Sequence, residues 1–226
     1  MTDKKVVITI SRQFGSGGAD IGALLAKDLG INLYDKSILR MTSDESGIKE
    51  SYFHIADEKA GNRLLYRIIG SMAPEISRPS FGSDLVSADN LFRFQSNVIR
   101  RLATEESCII IGRCANYVLD GREDLIRIHL NASFELRKKR VAAMNLYLPN
   151  ELDKNIKRID RERRDYYRYY TGRSWDNPED YDLVIHTDKT GITGTVRLIE
   201  NYLQILGYDL DRDFPNNTLG GKTAET

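Results

Sequence analysis

The stretch from Ile8 to Gly22, ITISRQFGSGGADIG, constrains this chain more than any other. An apolar run, Val6-Val7-Ile8-Thr9-Ile10, stops at Ser11, and glycines then cluster at Gly15, Gly17 and Gly18. The pattern next turns helical, with Ile21, Leu24, Leu25 and Leu29 at i, i+3, i+4 and i+8. Strand, glycine loop and helix in that order is the layout of a phosphate cradle. Glycines let several backbone N–H groups point inward, and the start of a helix adds partial positive charge. Gly15, Ser16, Gly17, Gly18, Ala19 and Asp20 are therefore the candidate phosphate-binding residues. The alternative is a glycine-rich turn that holds no ligand.

The loop departs from the usual phosphate-binding pattern, G-x-x-x-x-G-K-[ST], whose lysine reaches the terminal phosphates and whose hydroxyl holds magnesium. With Gly17 as the last glycine, Gly18 stands at the lysine position, Ala19 at the hydroxyl position and Arg12 at the first glycine. Arg12 is the basic residue inside the loop, and the expectation is that it supplies the missing charge.

The remaining pattern alternates strands with helices. Ile31 to Asp35 reads as a short strand ending on a carboxylate, with a helix from about Lys36. Residues 43–101 read as a broken helical insertion: a helical run over 55–69, a Pro- and Gly-containing loop over 71–87, and a helix over 89–102. Cys108 to Ile111 is a continuous apolar run of the kind that forms a buried parallel strand, with Gly112-Arg113 at its C-terminal end, where ligands of open α/β sheets gather. Leu125 to Leu130 is a further strand, on which His129 reads as a satisfied structural histidine; His54 and His186 read as incidental. Ser133 starts a helix carrying Arg137-Lys138-Lys139-Arg140, a run expected to be a solvated face. Residues 152–170 form a charged helix, 182–187 the last strand, 192–206 a closing helix, and 207–226 a frayed polar tail. This alternation predicts an α/β fold, a parallel sheet with helices on both faces.

Lys plus Arg and Asp plus Glu are both 33, so no global field draws the chain to nucleic acid or to a membrane surface. A chain of 226 residues accommodates one domain, or one core with a small insertion. Cys108 and Cys114 fit no zinc spacing and read as reduced packing residues. No apolar run approaches a membrane span, the N-terminus has no signal-peptide anatomy, and a cytoplasmic location is expected.

A second constellation lies in the charged helix. Arg161, Arg164, Asp165 and Arg168 sit at i, i+3, i+4 and i+7 and so share one face. Guanidinium forks suit phosphate oxygens, and phosphoryl transfer is mostly positioning plus neutralisation of charge. A solvated face is the alternative.

With these residues in view, the chain resembles the cytidylate kinase-like proteins, relatives of bacterial cytidylate kinase within the nucleoside monophosphate kinases, over roughly residues 5–206. The matching segments are ITISRQFGSGGADIGALLAKDLG, INLYDKSIL, IIIGRCANYVL, LIRIHLNASFELRKKRV, the R-x-x-R-D-x-x-R pattern and YDLVIHTDKTGI. The resemblance implies a P-loop kinase-like three-layer fold with a helical acceptor-binding insertion at about 43–101 and an arginine-rich lid at 152–175. It implies ATP-dependent phosphoryl transfer to a nucleoside monophosphate, CMP or dCMP, with Mg2+ accompanying ATP. Arg12, Arg161, Arg164, Asp165 and Arg168 would carry catalysis, and Asp35, Lys36 and Arg113 would bind the acceptor. The active relatives carry lysine where Gly18 stands and threonine where Asp20 stands; Asp20 could bind magnesium instead. A nucleotide-binding regulatory or interaction protein without useful turnover is therefore the second reading. A third, a dinucleotide-binding dehydrogenase, rests on Gly15-x-Gly17 with Asp35 beyond it, but that fold has no use for an arginine–aspartate helix face.

Overall fold

The computed structural model describes residues 4–53 and 87–214. Five strands make one parallel sheet in the order β2-β3-β1-β4-β5: β1 (Val7–Arg12), β2 (Asn32–Tyr34), β3 (Cys108–Ile111), β4 (Leu125–Asn131) and β5 (Leu183–His186). The central strand β1 pairs with β3 from Val7↔Cys108 and with β4 from Val7↔Leu125. Val6 to Ile10 are buried throughout, which is why this segment reads as an unbroken apolar run rather than an alternation.

Seven α-helices connect the described strands: α1 (Gly18–Leu29), α2 (Ser37–Ser46), α3 (Ala88–Glu105), α4 (Ala115–Val118), α5 (Phe134–Ala143), α6 (Leu152–Thr171) and α7 (Thr187–Ile205). Side chains alternate across β1, so its two faces feed two cores. Val6, Ile8 and Ile10 pack with Ile21, Leu25 and Leu29 of α1 and Val196, Ile199 and Leu203 of α7. Val7 packs on the other side with Ile38, Val98, Ile99, Leu102 and Ile110. The molecule is thus a three-layer α/β fold, as the strand–helix alternation predicts.

The topology opens a crevice. Strands β1 and β3 are neighbours, but the chain leaves β1 for β2 on one side and leaves β3 for β4 on the other. Their C-terminal loops part, and this is where open α/β sheets bind ligands.

One expectation needs correction, one needs detail, and others lie outside the described residues. The tail does not fray at Gly207: Tyr208, Asp213 and Phe214 are buried, and the Tyr208 hydroxyl donates to the Lys5 carbonyl at 3.2 Å. The closing helix runs from residue 192 as read, and a helical turn over 187–190 precedes it across a break at Gly191 (φ 64°, ψ −168°). The helical run read over 55–69 and all but the last residue of the loop read over 71–87 lie outside the described residues, as do His54 and residues 215–226.

Candidate functional site

A cleft of about 670 Å³ opens at the β1–β3 crevice. Its floor is the end of β1 and the glycine loop; its walls are Asp35-Lys36, Gly112-Arg113-Cys114 and one side of α6. Five cationic side chains line it (Arg12, Lys36, Arg113, Arg158 and Arg163) against three carboxylates (Asp20, Asp35 and Glu162). An anionic ligand suits such a cleft.

The loop is held in a shape that only glycine adopts cheaply. Gly15 and Gly17 have φ of +80° and +90°, and a Cβ at either would collide, with the Arg137 carbonyl at 2.8 Å or Ile192 Cδ1 at 2.5 Å. Among the described residues, no hydrogen bond occupies the amides of Gly15, Gly17, Gly18, Ala19 or Asp20. Gly17 is the N-cap of α1 and offers no side-chain cap. These amides form a donor cluster at a helix start that an anion would complete. Gly15, Gly17, Gly18, Ala19 and Asp20 line the cleft; Ser16 is fully buried beneath them, and its Oγ has no hydrogen-bond partner among the described residues.

Arg12 occupies the space a phosphate-loop lysine would take. A Cβ on Gly18 would stand 2.9 Å from both Cβ and Cγ of Arg12, so the arginine stem lies across the bare glycine. Its guanidinium runs on over Gly112, which must also be bare to let it pass, and reaches Asp35 at 3.5 Å. Arg12 therefore spans from the loop to the opposite wall.

That wall is built by a strained turn. Gly112, Arg113 and Cys114 all have positive φ (73°, 56° and 54°), a conformation that non-glycine residues hold only under constraint. The constraint is visible: Arg113 Nε donates to the Asp35 carbonyl and Nη1 to Gln95 Oε1, both at 3.1 Å, and Gln95 Nε2 donates to the Tyr166 hydroxyl at 3.2 Å. Asp35, Lys36 and Arg113, expected from the sequence at one site, are brought together here.

The arginine helix is in place, with the expected face turned to solvent. Arg161, Arg164, Asp165 and Arg168 are exposed and do not line the cleft. The apolar stripe decides the helix's rotation: Leu152, Ile156, Tyr166 and Tyr167 are buried, and at about 100° per residue this turns the R-x-x-R-D-x-x-R face outward. The cleft instead receives Arg158, Glu162 and Arg163. Arg163 Nη1 donates to the Arg12 carbonyl at 2.8 Å, and Asp160 Oδ1 accepts the Phe14 amide at 2.8 Å.

The basic run of α5 is likewise no simple solvated face. Arg137 is buried in an ion pair with Asp160 and donates to the Phe14 carbonyl at 3.3 Å; Arg140 donates to the Ser16 carbonyl at 2.6 Å. The i, i+3 spacing of these two arginines was the available signal, masked by the lysines between them. His129 is buried as expected, but its Nδ1 has no hydrogen-bond partner among the described residues; it packs on Trp175 and Tyr181 at 5.3 and 4.9 Å between ring centres. Cys108 and Cys114 are both free and buried.

A five-stranded parallel sheet in this order, with a glycine loop after its central strand, defines a protein of the P-loop kinase fold class. The chain belongs to the cytidylate kinase-like family, whose model matches residues 7–189. Among solved structures it is similar to an uncharacterized protein from Eubacterium ventriosum, at 23% identity and a TM-score of 0.63, over 88% of this chain and 99% of that one. It is also similar to the shikimate kinase from Acinetobacter baumannii in complex with shikimate, at 13% identity and a TM-score of 0.50, over 92% of this chain and 97% of that one. No curated protein sequence matches the chain.

Proposed function

We propose that this chain binds a nucleoside triphosphate on the Gly15–Asp20 cradle and transfers its terminal phosphoryl group to a nucleoside monophosphate, CMP or dCMP being the acceptors the family points to. The observation that carries this reading is the set of unoccupied loop amides facing a cleft whose far wall presents Lys36 and Arg113. Arg12 lies between the two, where charge moves during transfer. An oxygen of the acceptor phosphate attacks the terminal phosphorus, and the bond to the bridging oxygen of the leaving diphosphate breaks. The acceptor is already anionic, so no side chain needs to take a proton.

Magnesium, arriving with the triphosphate, would supply neutralisation of the donor phosphates. Among the described residues no cluster of three or more His, Cys, Asp and Glu could hold a metal by itself. Ala19 offers no hydroxyl, and Asp20, in the first turn of α1 and on the cleft, is the carboxylate placed to reach a phosphate-bound ion. Arg158 and Arg163 take the neutralising role in place of Arg161, Arg164 and Arg168, with Asp165 left on the outer face.

The second reading, nucleotide binding without useful turnover, is favoured by the bare Gly18 and by the Arg12–Asp35 pair, which would hold the replacement cation on the acceptor wall. Incubating the protein with ATP, magnesium and each nucleoside monophosphate, and reading ADP release, separates them. The kinase reading expects monophosphate-dependent ADP, with Arg12→Ala reducing the rate at least about a hundredfold. Tight ATP binding with no ADP from any monophosphate would leave the binding module.

A further inference from the structure

The glycine loop is gripped at every second carbonyl from Arg12 to Ser16. Arg163 of α6 donates to the Arg12 carbonyl at 2.8 Å. Arg137 of α5 donates to the Phe14 carbonyl at 3.3 Å. Arg140 of α5 donates to the Ser16 carbonyl at 2.6 Å, and the Thr187 hydroxyl, at the start of α7, donates to the same oxygen at 2.9 Å. Arg140 and Thr187 are themselves in contact at 3.0 Å, so the two donors brace each other. Thr187 is fully buried, and Ser16 with it.

A peptide plane has its C=O and its N–H on opposite edges. Fixing the Ser16 carbonyl toward Arg140 and Thr187 therefore turns the Gly17 amide the other way, and fixing the Phe14 carbonyl toward Arg137 turns the Gly15 amide likewise. Both amides lack a protein acceptor among the described residues, and both residues line the cleft.

We infer that Arg140 and Thr187, with Arg137 alongside, are positioning residues of the phosphate cradle: they hold the loop peptides so that Gly15 and Gly17 present their N–H groups to a polyphosphate before it arrives. This rests on the proposed phosphate reading of the loop. Beside Arg12, which takes the lysine's place on the cleft side, further positive charge stands behind the loop, on guanidinium groups that reach the ligand through the peptide dipoles. An orientation fixed in advance spares the ligand the work of ordering the loop.

The test is the affinity of the full chain for inorganic tripolyphosphate and for ATP, by titration calorimetry, alongside the melting temperature without ligand. Arg140→Ala is expected to weaken both ligands at least about tenfold, and Arg140→Lys to recover most of that, since an ammonium can still donate to the carbonyl. Thr187→Val keeps volume and charge and removes one donor; it is expected to weaken both ligands about threefold. Leu203→Ala, in the core away from the loop, is the control that lowers the melting temperature and leaves affinity unchanged. Wild-type affinity in Arg140→Ala and Thr187→Val overturns the assignment. A loss in Arg140→Ala with none in Thr187→Val also overturns it, by reducing Arg140 to a distant charge. If the unaltered protein binds neither ligand, the phosphate reading itself falls.

Discussion

His129 couples a single residue to the pH dependence of the whole fold. Its imidazole is enclosed by Trp175 and Tyr181 beneath the strand that ends next to the glycine loop, and burial holds its pKa down at about 4 from the usual 6.5. Below pH 6.5 the unfolded chain takes up a proton that the folded chain refuses. The associated stability is therefore fully present above about pH 6.5 and is lost as pH falls toward 4. A gap of that size corresponds to at most about 3 kcal/mol. In urea titrations between pH 7.5 and pH 4.5, the unaltered protein should lose stability more steeply than His129→Gln, and parallel curves would contradict the buried neutral imidazole. In the sequence His129 reads as a satisfied structural histidine; in the structure it is buried, but Nδ1 has no hydrogen-bond partner among the described residues. The sequence does not reveal that enclosure, because Trp175 and Tyr181 are remote from His129 along the chain.

On the scale of elements, α6 is the instructive case. Its face toward the loop carries Asp160 and Arg163, both bonded to loop backbone, while Arg161, Arg164 and Arg168 face solvent. Arg163→Ala should weaken ATP about tenfold by releasing the Arg12 carbonyl. The triple substitution of Arg161, Arg164 and Arg168 by Ala should leave affinity within about twofold. The reverse ranking by calorimetry would show that the helix rolls to present its other face when a nucleotide binds. The strands and the first strand–loop–helix unit were legible because each announces itself locally, by an apolar run, a glycine cluster or a 3.6-residue period. The rotation of α6 was less so. The charge pattern singles out R-x-x-R-D-x-x-R, whereas the phase of the helix is set by the buried Ile156, Tyr166 and Tyr167. The basic run of α5 reads as a solvated face for a similar reason: in the sequence, nothing local separates Arg137 and Arg140, which the fold brings to the loop, from Lys138 and Lys139.

Across the whole molecule, the same helix touches both halves of the cleft. Through Asp160 and Arg163 it holds the glycine loop; through the Tyr166 hydroxyl it meets Gln95 of α3, which bonds Arg113, which bonds the Asp35 carbonyl. The glycine loop and the Asp35–Arg113 wall are thus joined by one continuous, largely buried chain of polar contacts, the kind of path along which a small shift at one end is felt at the other. Binding at the two sites should then be coupled, and coupling is reciprocal. A non-hydrolysable ATP analogue should bind about fivefold or more tightly when CMP is present, and CMP should gain by the same factor from the analogue. Gln95→Leu keeps approximate volume and cuts the chain at its middle, between α3 and α6. It should bring that factor close to one while leaving the affinity for the analogue alone little changed, because no contact to the loop is lost. Titration of each ligand in the presence and absence of the other measures both factors in one protein. Equal coupling in the unaltered chain and in Gln95→Leu would mean that the two sites communicate through the ligands' own phosphates, meeting over Arg12, rather than through α6.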